Sequence, residues 1–278
     1  MSIQTLPLEH YSQLLEFIRH AEDADAQLFM TGALRTCPQG LEVFVRRDGT
    51  QLRAAVALLP SLPPFAVPVI LATGDPDAAL LTHVARQHAS PRMALGSKAV
   101  LERLAQHWPE GWLPLIGRRD EVLLKQFEAI PASNTPELAT RLAEPADETT
   151  LVEYRIQMEK DSGVKQLSSH EQATHTVRQL MQRQALYVVE VDGQLGGCTA
   201  LTSGDEEHEQ LGFIFVEARH RLRGVSDRLL SDVCIGIHRR QRKPLTFTCV
   251  NGPLRHRLGE IGFRPVGEHL KLYFGHSS

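Results

Sequence analysis

The residues best suited to binding a charged ligand lie between Val216 and Ser226. An apolar strand-like run ends at Val216, and a short turn with Arg221, Arg223 and Gly224 leads into a predicted helix. The first turn of a helix has unpaired N–H groups and the positive end of the helix dipole, so an anion can bind there. Gly224 leaves the backbone open to a phosphate, and the two arginines add positive charge. We call this turn, residues 217–226, the cradle, and it predicts a pyrophosphate site.

Two better-known phosphate-binding patterns, GxGxxG and GxxxxGK[ST], do not occur in the sequence. Gly96, Ser97 and Lys98 resemble the end of the second pattern but lack its upstream glycine. They predict the N-terminus of a helix.

The cradle resembles the acyl-CoA motif of the GNAT superfamily of general-control-type N-acetyltransferases. That motif is [Q/R]-x-x-G-x-[G/A] after a strand ending in V-x-P. Arg221, Gly224 and Ser226 fall on its three defined positions, and Val216 falls on the valine. Ala218 replaces the usual proline, and a serine stands at the last position instead of Gly or Ala.

A second stretch, downstream, is similar to the family pattern N-x-x-A-x-x-x-Y-x-x-x-G-F. Asn251, Gly262 and Phe263 keep their places and their spacing, whereas Leu254 replaces the alanine and Leu258 the tyrosine. In the family, that tyrosine often protonates the departing CoA thiolate. The order of strand, cradle, helix, strand, Asn251, helix and Gly-Phe covers the second half of the chain, which therefore resembles a GNAT domain.

This resemblance implies an acyl-CoA-dependent N-acyltransferase, with acetyl-CoA as the expected cosubstrate and no metal. CoA is expected in a V-shaped gap between strands 210–216 and 245–250, where a primary amine attacks the thioester directly. A backbone N–H near the end of the first strand is expected to stabilise the oxyanion. No motif identifies the amine acceptor. The residues expected to bind CoA are Phe215, Val216, Arg221, Leu222, Arg223, Gly224, Val225, Ser226 and Asn251.

Acid and base candidates are few. Glu209 begins the strand on which some family members keep a carboxylate base, but residues 205–209 also fit a solvated acidic turn. Tyr273 and His256 are candidate acids, or alternatively structural or solvent-facing side chains. Because Leu258 has no hydroxyl, the alternative function is a catalytically silent acyl-CoA-binding or scaffold protein. A third is an interaction protein in which both halves have lost CoA.

Other chemistry-bearing residues predict ordinary structure. His170 and His175 are five apart, so on a helix they point about 140° apart and do not share a metal. The basic run 238–243 fits a solvated helix C-terminus, or alternatively a contact with the 3′-phosphate of CoA. The four cysteines are scattered, which indicates neither a zinc site nor a disulfide framework. They are Cys37, Cys198, Cys234 and Cys249.

The elements that must position the cradle follow the same order in both halves. The second half begins with a strand at 139–143 and a helix to about residue 161, for which Asp147 is predicted as the N-cap. A helix around Val177 and a hairpin closed by Asp192 and Gly193 then precede strand 210–216. The helix from Val225, strand 245–250, helix 253–261 and strand 263–274 follow.

In the first half, a helix around Leu14, a second helix at 24–34, hairpin 41–59 and strand 67–72 are predicted, followed by helix, strand and helix to about residue 106. The turn where a cradle would be contains Gly74, Asp75 and Pro76. Asp75 would repel a phosphate, and Pro76 has no backbone N–H to donate to it. The breaker-rich segment 130–136 reads as a linker.

The sequence therefore predicts an α/β protein with two GNAT-like domains, each a mixed β-sheet flanked by helices. The first, at 1–133, is degenerate, and the second, at 134–278, contains the V-shaped acyl-CoA cleft. This organisation resembles bacterial two-GNAT-domain proteins and the two-part glycine N-acyltransferases.

Composition agrees with a globular protein and favours no charged macromolecular partner. The 278 residues are 42% hydrophobic and 23% charged, with a net charge of −3. Neither nucleic-acid binding nor a membrane span is predicted, since no basic excess and no long apolar run occur. No secretory signal is visible, so a cytoplasmic location is expected.

Overall fold

The computed structural model describes residues 2–20, 31, 41–59, 69–87, 93–108, 114–125, 138–162, 168–204, 206–249 and 253–274. It divides the chain into two compact units. Unit 1 comprises Met1–Val122, Thr248–Asn251 and Pro265–Ser278, and unit 2 comprises Leu123–Phe247 and Gly252–Arg264.

Unit 1 is built on a mixed sheet with helices on its two faces. Strands β1 to β4 pair antiparallel in sequence, β4 pairs parallel with β5, and the last strand of the chain, β12, pairs antiparallel with β5. The elements are β1 Ser2–Thr5, α1 Tyr11–His20, β2 Glu42–Asp48, β3 Gln51–Leu59, β4 Val69–Gly74, α2 Ala78–Gln87, β5 Met93–Ser97, α3 Lys98–Ala105, β6 Pro114–Lys125 and β12 Phe263–Phe274.

The core of unit 1 lies on both faces of this sheet because side chains alternate along each strand. Val43 and Val45 of β2 pack with Leu14 and Ile18 of α1 on one face. Phe44, between the two valines, packs with α2 and α3 on the other.

Unit 2 repeats the arrangement. Strands β7 to β10 pair antiparallel in sequence, and β10 pairs parallel with β11. Helices α4 and α5 share one apolar cluster with β8, β9 and β10, whereas α6 and α7 share another with Leu211 of β10. The elements are β7 Ala139–Leu142, α4 Glu148–Asp161, α5 His170–Gln182, β8 Leu186–Val191, β9 Gln194–Gly204, β10 His208–Val216, α6 Val225–Arg239, β11 Lys243–Cys249 and α7 Pro253–Glu260.

Local sequence explains where the helices begin. Ser97 caps α3 by accepting from the N–H of Val100. Ser169 and Gln172 form a reciprocal capping box at the start of α5. Asp147 precedes α4 as predicted, but its carboxylate does not cap that helix; it accepts instead from the N–H of Glu144 and from Arg141.

Most predicted elements are confirmed within one to three residues, including both hairpins with their Asp-Gly turns. The sequence did not predict strands β1 and β6. The predicted helix at 24–34 and the linker at 130–136 lie outside the described residues, apart from residue 31.

The predicted division at 133/134 stays a prediction, since the described residues stop at 125 and resume at 138. The units are not contiguous in sequence, however, because β12 from Pro265 onward belongs to unit 1. The reason is its pairing with β5, from His269 with Ser97 to Tyr273 with Met93.

Candidate functional site

The pairing between the two parallel strands β10 and β11 ends before β10 does. β10 pairs with β11 from His208 with Lys243 to Leu211 with Thr246, and Thr246 Oγ1 donates to Leu211 O at 2.9 Å. Beyond Leu211, β10 continues to Val216 and its described pairing is with β9 alone. We call the side of β10 that faces away from β9, beyond this last pair, the gap.

The end of β10 turns backbone groups toward the gap. Val216 lies opposite Gly197 of β9, and the N–H of Glu217, one residue on, donates to Gly196 O at 3.0 Å. In an antiparallel pair, neighbouring residues direct their N–H and C=O groups to opposite sides. The N–H of Val216 therefore points away from β9, toward the gap.

A bulge interrupts β10 just before this point. The register between β10 and β9 shifts between Gly212 and Phe215, and Phe213 has a positive φ of 49°. Two side chains of β9 hold the bulged carbonyls: Thr199 Oγ1 donates to Gly212 O at 3.2 Å, and Cys198 Sγ to Phe213 O at 3.8 Å. Bulges redirect backbone groups and recur next to active sites.

The cradle follows directly. A short 3-10 turn, Ala218–His220, leads to Gly224, which precedes α6 in the left-handed conformation with φ of 76° and ψ of 4°. Since a glycine has no side chain with which to cap α6, the first-turn N–H groups of that helix are open to an anion. Val225 is buried in the core and Ser226 half-buried in the first turn.

Arg221 and Arg223, two of the three arginines in the cradle, contact carboxylates outside it. Arg221 donates to Asp161, the last residue of α4, at 2.9 Å and to Val216 O at 3.2 Å. Arg223 donates to Asp192 in the β8–β9 turn at 3.1 Å. The pKa of Asp161 is lowered by the hydrogen bond from Gln157 and by Arg221. All four charged groups are exposed, so these pairs are weak and can exchange for a phosphate.

Tyr154 of α4 links the start of the cradle to the sheet, a role that the sequence did not predict. Its hydroxyl lies 2.6 Å from Leu195 O and 2.9 Å from Glu217 Oε2, and its ring packs at 4.7 Å from that of Phe215. Burial and the Glu217 carboxylate raise the pKa of Tyr154. No motif in the sequence singles out Tyr154.

Glu209 lies at the far end of β10 from the cradle. It is buried, and its carboxylate accepts from Arg240 at 2.6 and 3.1 Å and from Arg242 at 2.9 Å. Both arginines belong to the basic run after α6, so this run neutralises a buried carboxylate. The role of Glu209 as a base stays a prediction.

The acid candidates are spread over the chain. Tyr273 lies in β12 and packs against the core of unit 1. His256 is exposed on α7, 3.5 Å from Glu260. Leu258, at the position of the family's tyrosine, is fully buried with Leu211 and Leu230. Asn251 lies outside the described residues.

The remaining candidates have structural surroundings. His170 and His175 are both exposed on α5, and Cys198 and Cys234 are buried free thiols. Within the described ranges, no group of three His, Cys, Asp or Glu side chains could hold a metal ion. Among the same residues, no helix has the length and apolar character that a membrane crossing requires.

In the corresponding turn of unit 1, a carboxylate of the chain itself occupies the start of the helix. Asp77 accepts from the N–H of Leu80 in the first turn of α2 at 3.0 Å and is paired with Arg46. Burial raises the pKa of Asp77, but these two partners outweigh it and leave the pKa lowered. A Cβ on Gly74 would lie 2.4 Å from Arg53 O, so the backbone is also closed in at the end of β4.

No family model and no curated protein matches the sequence. Solved structures match nearly the whole chain. An acetyltransferase of the GNAT family from Colwellia psychrerythraea is 14% identical with a TM-score of 0.61, covering 99% of this chain and 100% of that chain. A GCN5-related N-acetyltransferase from Sphaerobacter thermophilus is 17% identical with a TM-score of 0.63, covering 98% and 94%. A tandem GNAT protein of the clavulanic acid biosynthesis pathway is 16% identical with a TM-score of 0.60, covering both chains completely.

At these identities the similarity establishes the fold. The chain has the tandem GNAT fold, and the predicted pair of GNAT-like domains is confirmed.

Proposed function

We propose that unit 2 is an acyl-CoA-dependent N-acyltransferase that transfers an acyl group, in the first instance acetyl, to a primary amine. The observation that carries the proposal is that the pairing of β10 with β11 ends at Leu211, before the strand end that leads into the cradle. A gap beside exposed strand amides and an open helix N-terminus, one after the other, suit a thioester and its pyrophosphate. The similar structures named above are described as acetyltransferases or tandem GNAT proteins.

Cofactor binding would use the backbone first. The pyrophosphate would accept from the first-turn N–H groups of α6, which begin at Val225 and Ser226 beside Gly224. Arg221 and Arg223 would exchange Asp161 and Asp192 for phosphate oxygens. Phe215, Leu222 and Asn251 complete the proposed set of CoA-binding residues.

The transfer step requires little from side chains. The amine attacks the thioester carbonyl, a tetrahedral oxyanion forms, and the C–S bond breaks to release the CoA thiolate. The N–H of Val216 points to the gap and would donate to the oxyanion. Since Glu209 is paired with two arginines and Leu258 has no hydroxyl, solvent would carry the amine proton away and protonate the thiolate.

The surroundings of Glu209 and Leu258 also favour a second function. With Glu209 held in ion pairs and Leu258 buried in the core, unit 2 could bind acyl-CoA without turning it over. The two functions share the cofactor site and differ in the release of free CoA when amines are present.

The test is thermal unfolding with and without acetyl-CoA. Ligand at about 100 times its dissociation constant should stabilise the native state by about 2.7 kcal/mol. We expect this shift in the wild type and its loss in Gly224→Asp, which places a carboxylate where the pyrophosphate would bind. Gly49→Asp is the matched control, because Gly49 also has a positive φ, lies in a unit 1 turn and has nothing within 4 Å of an added Cβ.

A shift that survives Gly224→Asp, or none in the wild type, would contradict the proposed site. Release of CoA thiol across a panel of primary amines then separates the two functions. Turnover that disappears in Gly224→Asp identifies an acyltransferase, whereas binding without turnover identifies the silent acyl-CoA protein.

A further inference from the structure

Helix α4 places an ion pair inside an apolar cluster. Arg155 and Glu159 are one helical turn apart, their N···O distance is 2.8 Å, and their side chains are 9% and 7% exposed. The surrounding cluster includes Leu151, Ala173 and Val177 from α4 and α5. Burial lowers the pKa of Arg155, partly offset by Glu159, and its Nε is a buried donor without a hydrogen-bond partner.

The arginine faces the bulge of β10. Its guanidinium lies 5.7 Å from the ring centroid of Phe213, the bulge residue with the positive φ. The preceding residue of α4, Tyr154, packs on Phe215. Consecutive α4 side chains therefore contact two residues of β10 in the stretch beyond the last β10–β11 pair. A non-glycine residue with positive φ persists only where its surroundings hold it.

The glutamate faces the connection between α4 and α5. Its carboxylate accepts from both the N–H and the hydroxyl of Ser168, at 2.7 and 2.8 Å. Ser168 precedes Ser169, which caps α5. The pair thus joins the bulge to the start of the next helix.

Stability alone is a poor reason for such a pair. Removing two charges from water costs several kcal/mol per ion, and apolar replacements of buried pairs are often neutral or stabilising. A leucine and a methionine would fill the same space among the apolar neighbours. The contacts with Phe213 and Ser168 require instead a planar cation and a two-acceptor carboxylate.

We propose that Arg155 and Glu159 are positioning residues that hold the bulge of β10 so that the strand end presents its N–H to the thioester carbonyl. This inference rests on the proposed function. It assigns the pair to carbonyl polarisation and leaves anchoring of CoA to the cradle, which is built from other residues.

The experiment is isotope-edited infrared spectroscopy of acetyl-CoA labelled with ¹³C at the thioester carbonyl and bound to the full chain, with the dissociation constant measured in parallel. No acceptor amine is needed. The test variant is Arg155→Met with Glu159→Gln, which removes both charges and keeps an acceptor for Ser168. The matched control is Arg178→Met with Glu148→Gln, since this arginine–glutamate pair is more exposed and links α5 to α4, at 2.8 and 2.9 Å.

The wild type and the control should shift the carbonyl band to lower wavenumber than in free acetyl-CoA. The test variant should lose more than half of that shift while its dissociation constant stays within threefold. Arg155→Lys keeps the charge without the planar stack and should lose part of the shift, and it decides the question if the double variant does not fold.

A full carbonyl shift in the test variant would show that the pair is only structural. Equal loss of shift and of affinity would also overturn the inference, because the pair would then shape the whole site. A wild type that does not bind acetyl-CoA refutes the proposed function, and the inference falls with it.

Discussion

The turn that forms the cradle contains a strained residue two positions before Gly224. Leu222 has a φ of 69° although it is not a glycine, and its side chain is fully exposed. The left-handed conformation costs an L-residue about 1–2 kcal/mol, which glycine avoids. Strain of this kind is characteristic of functional turns. The sequence predicted the role of Gly224 from its motif position, but gave no signal for the conformation of Leu222.

Leu222→Gly should therefore stabilise the protein by about 1 kcal/mol, since strain is relieved and no packing is lost. For a protein of this size that corresponds to a rise of about 2–4 °C in Tm. Thermal unfolding without ligand measures it. Leu222→Ala is the control, because it removes the side chain and keeps the strained backbone. Equal Tm values for the two variants would show that the turn stores no strain.

Among the elements, local sequence patterns predicted the features that depend only on neighbouring residues. The turns at Gly49 and Gly193 both have positive φ, as their Asp-Gly sequences indicated. Strand β6 was missed because Arg118 to Glu121 are four consecutive charged residues, which breaks the apolar alternation of a strand. The bulge at Phe213 and the contact with Arg155 depend on packing between β9, β10 and α4, which no local pattern contains.

Asp147 shows how tertiary contacts replace a predicted local role. Its carboxylate contacts the guanidinium of Arg141 at 2.7 and 3.1 Å and the N–H of Glu144 at 2.8 Å. Burial raises the pKa of Asp147, but the arginine and the N–H outweigh it, so the folded pKa is lowered. A lowered folded pKa stabilises the protein above the unfolded pKa of about 3.9, and this contribution is lost as the pH falls through the folded value.

Asp147→Asn should accordingly destabilise the protein by about 1–3 kcal/mol near neutral pH. The difference from the wild type should shrink as the pH falls below about 4. Denaturant unfolding of both proteins, near neutral pH and below about pH 4, measures this difference in the free energy of unfolding. Asp161→Asn serves as a control, because the Asp161–Arg221 pair is exposed and should contribute less than about 1 kcal/mol. A difference that persists undiminished in acid would mean that the ionised carboxylate is not its source.

At the scale of the whole molecule, the two halves have one topology and different chemistry. In each, a parallel pair follows an antiparallel run, β4 with β5 and β10 with β11. The helix after β4 begins with the carboxylate of Asp77, whereas the helix after β10 begins with Gly224. The sequence predicted a carboxylate at this turn but assigned it to Asp75, whereas Asp77 is the residue that accepts from the helix. It also predicted β12 as a strand, but not its partner, since pairing with β5 joins residues about 175 positions apart, a separation that local patterning does not encode.

Unit 1 should therefore depend on the end of the chain. β12 lies between β5 and β6 in the sheet order, and Lys271 pairs with Leu95. A proline in an interior strand removes a ladder hydrogen bond and leaves its acceptor unpaired, so Lys271→Pro should destabilise unit 1 by about 1–3 kcal/mol. Amide hydrogen exchange should then show faster exchange in β4 and β5 than in Lys271→Ala, with β8 and β9 of unit 2 unchanged. If β5 keeps the same protection in both variants, the sheet of unit 1 is stable without β12. Faster exchange confined to β4 and β5 would instead show that the sheet of unit 1 needs β12, a strand from the second half of the chain, to be stable.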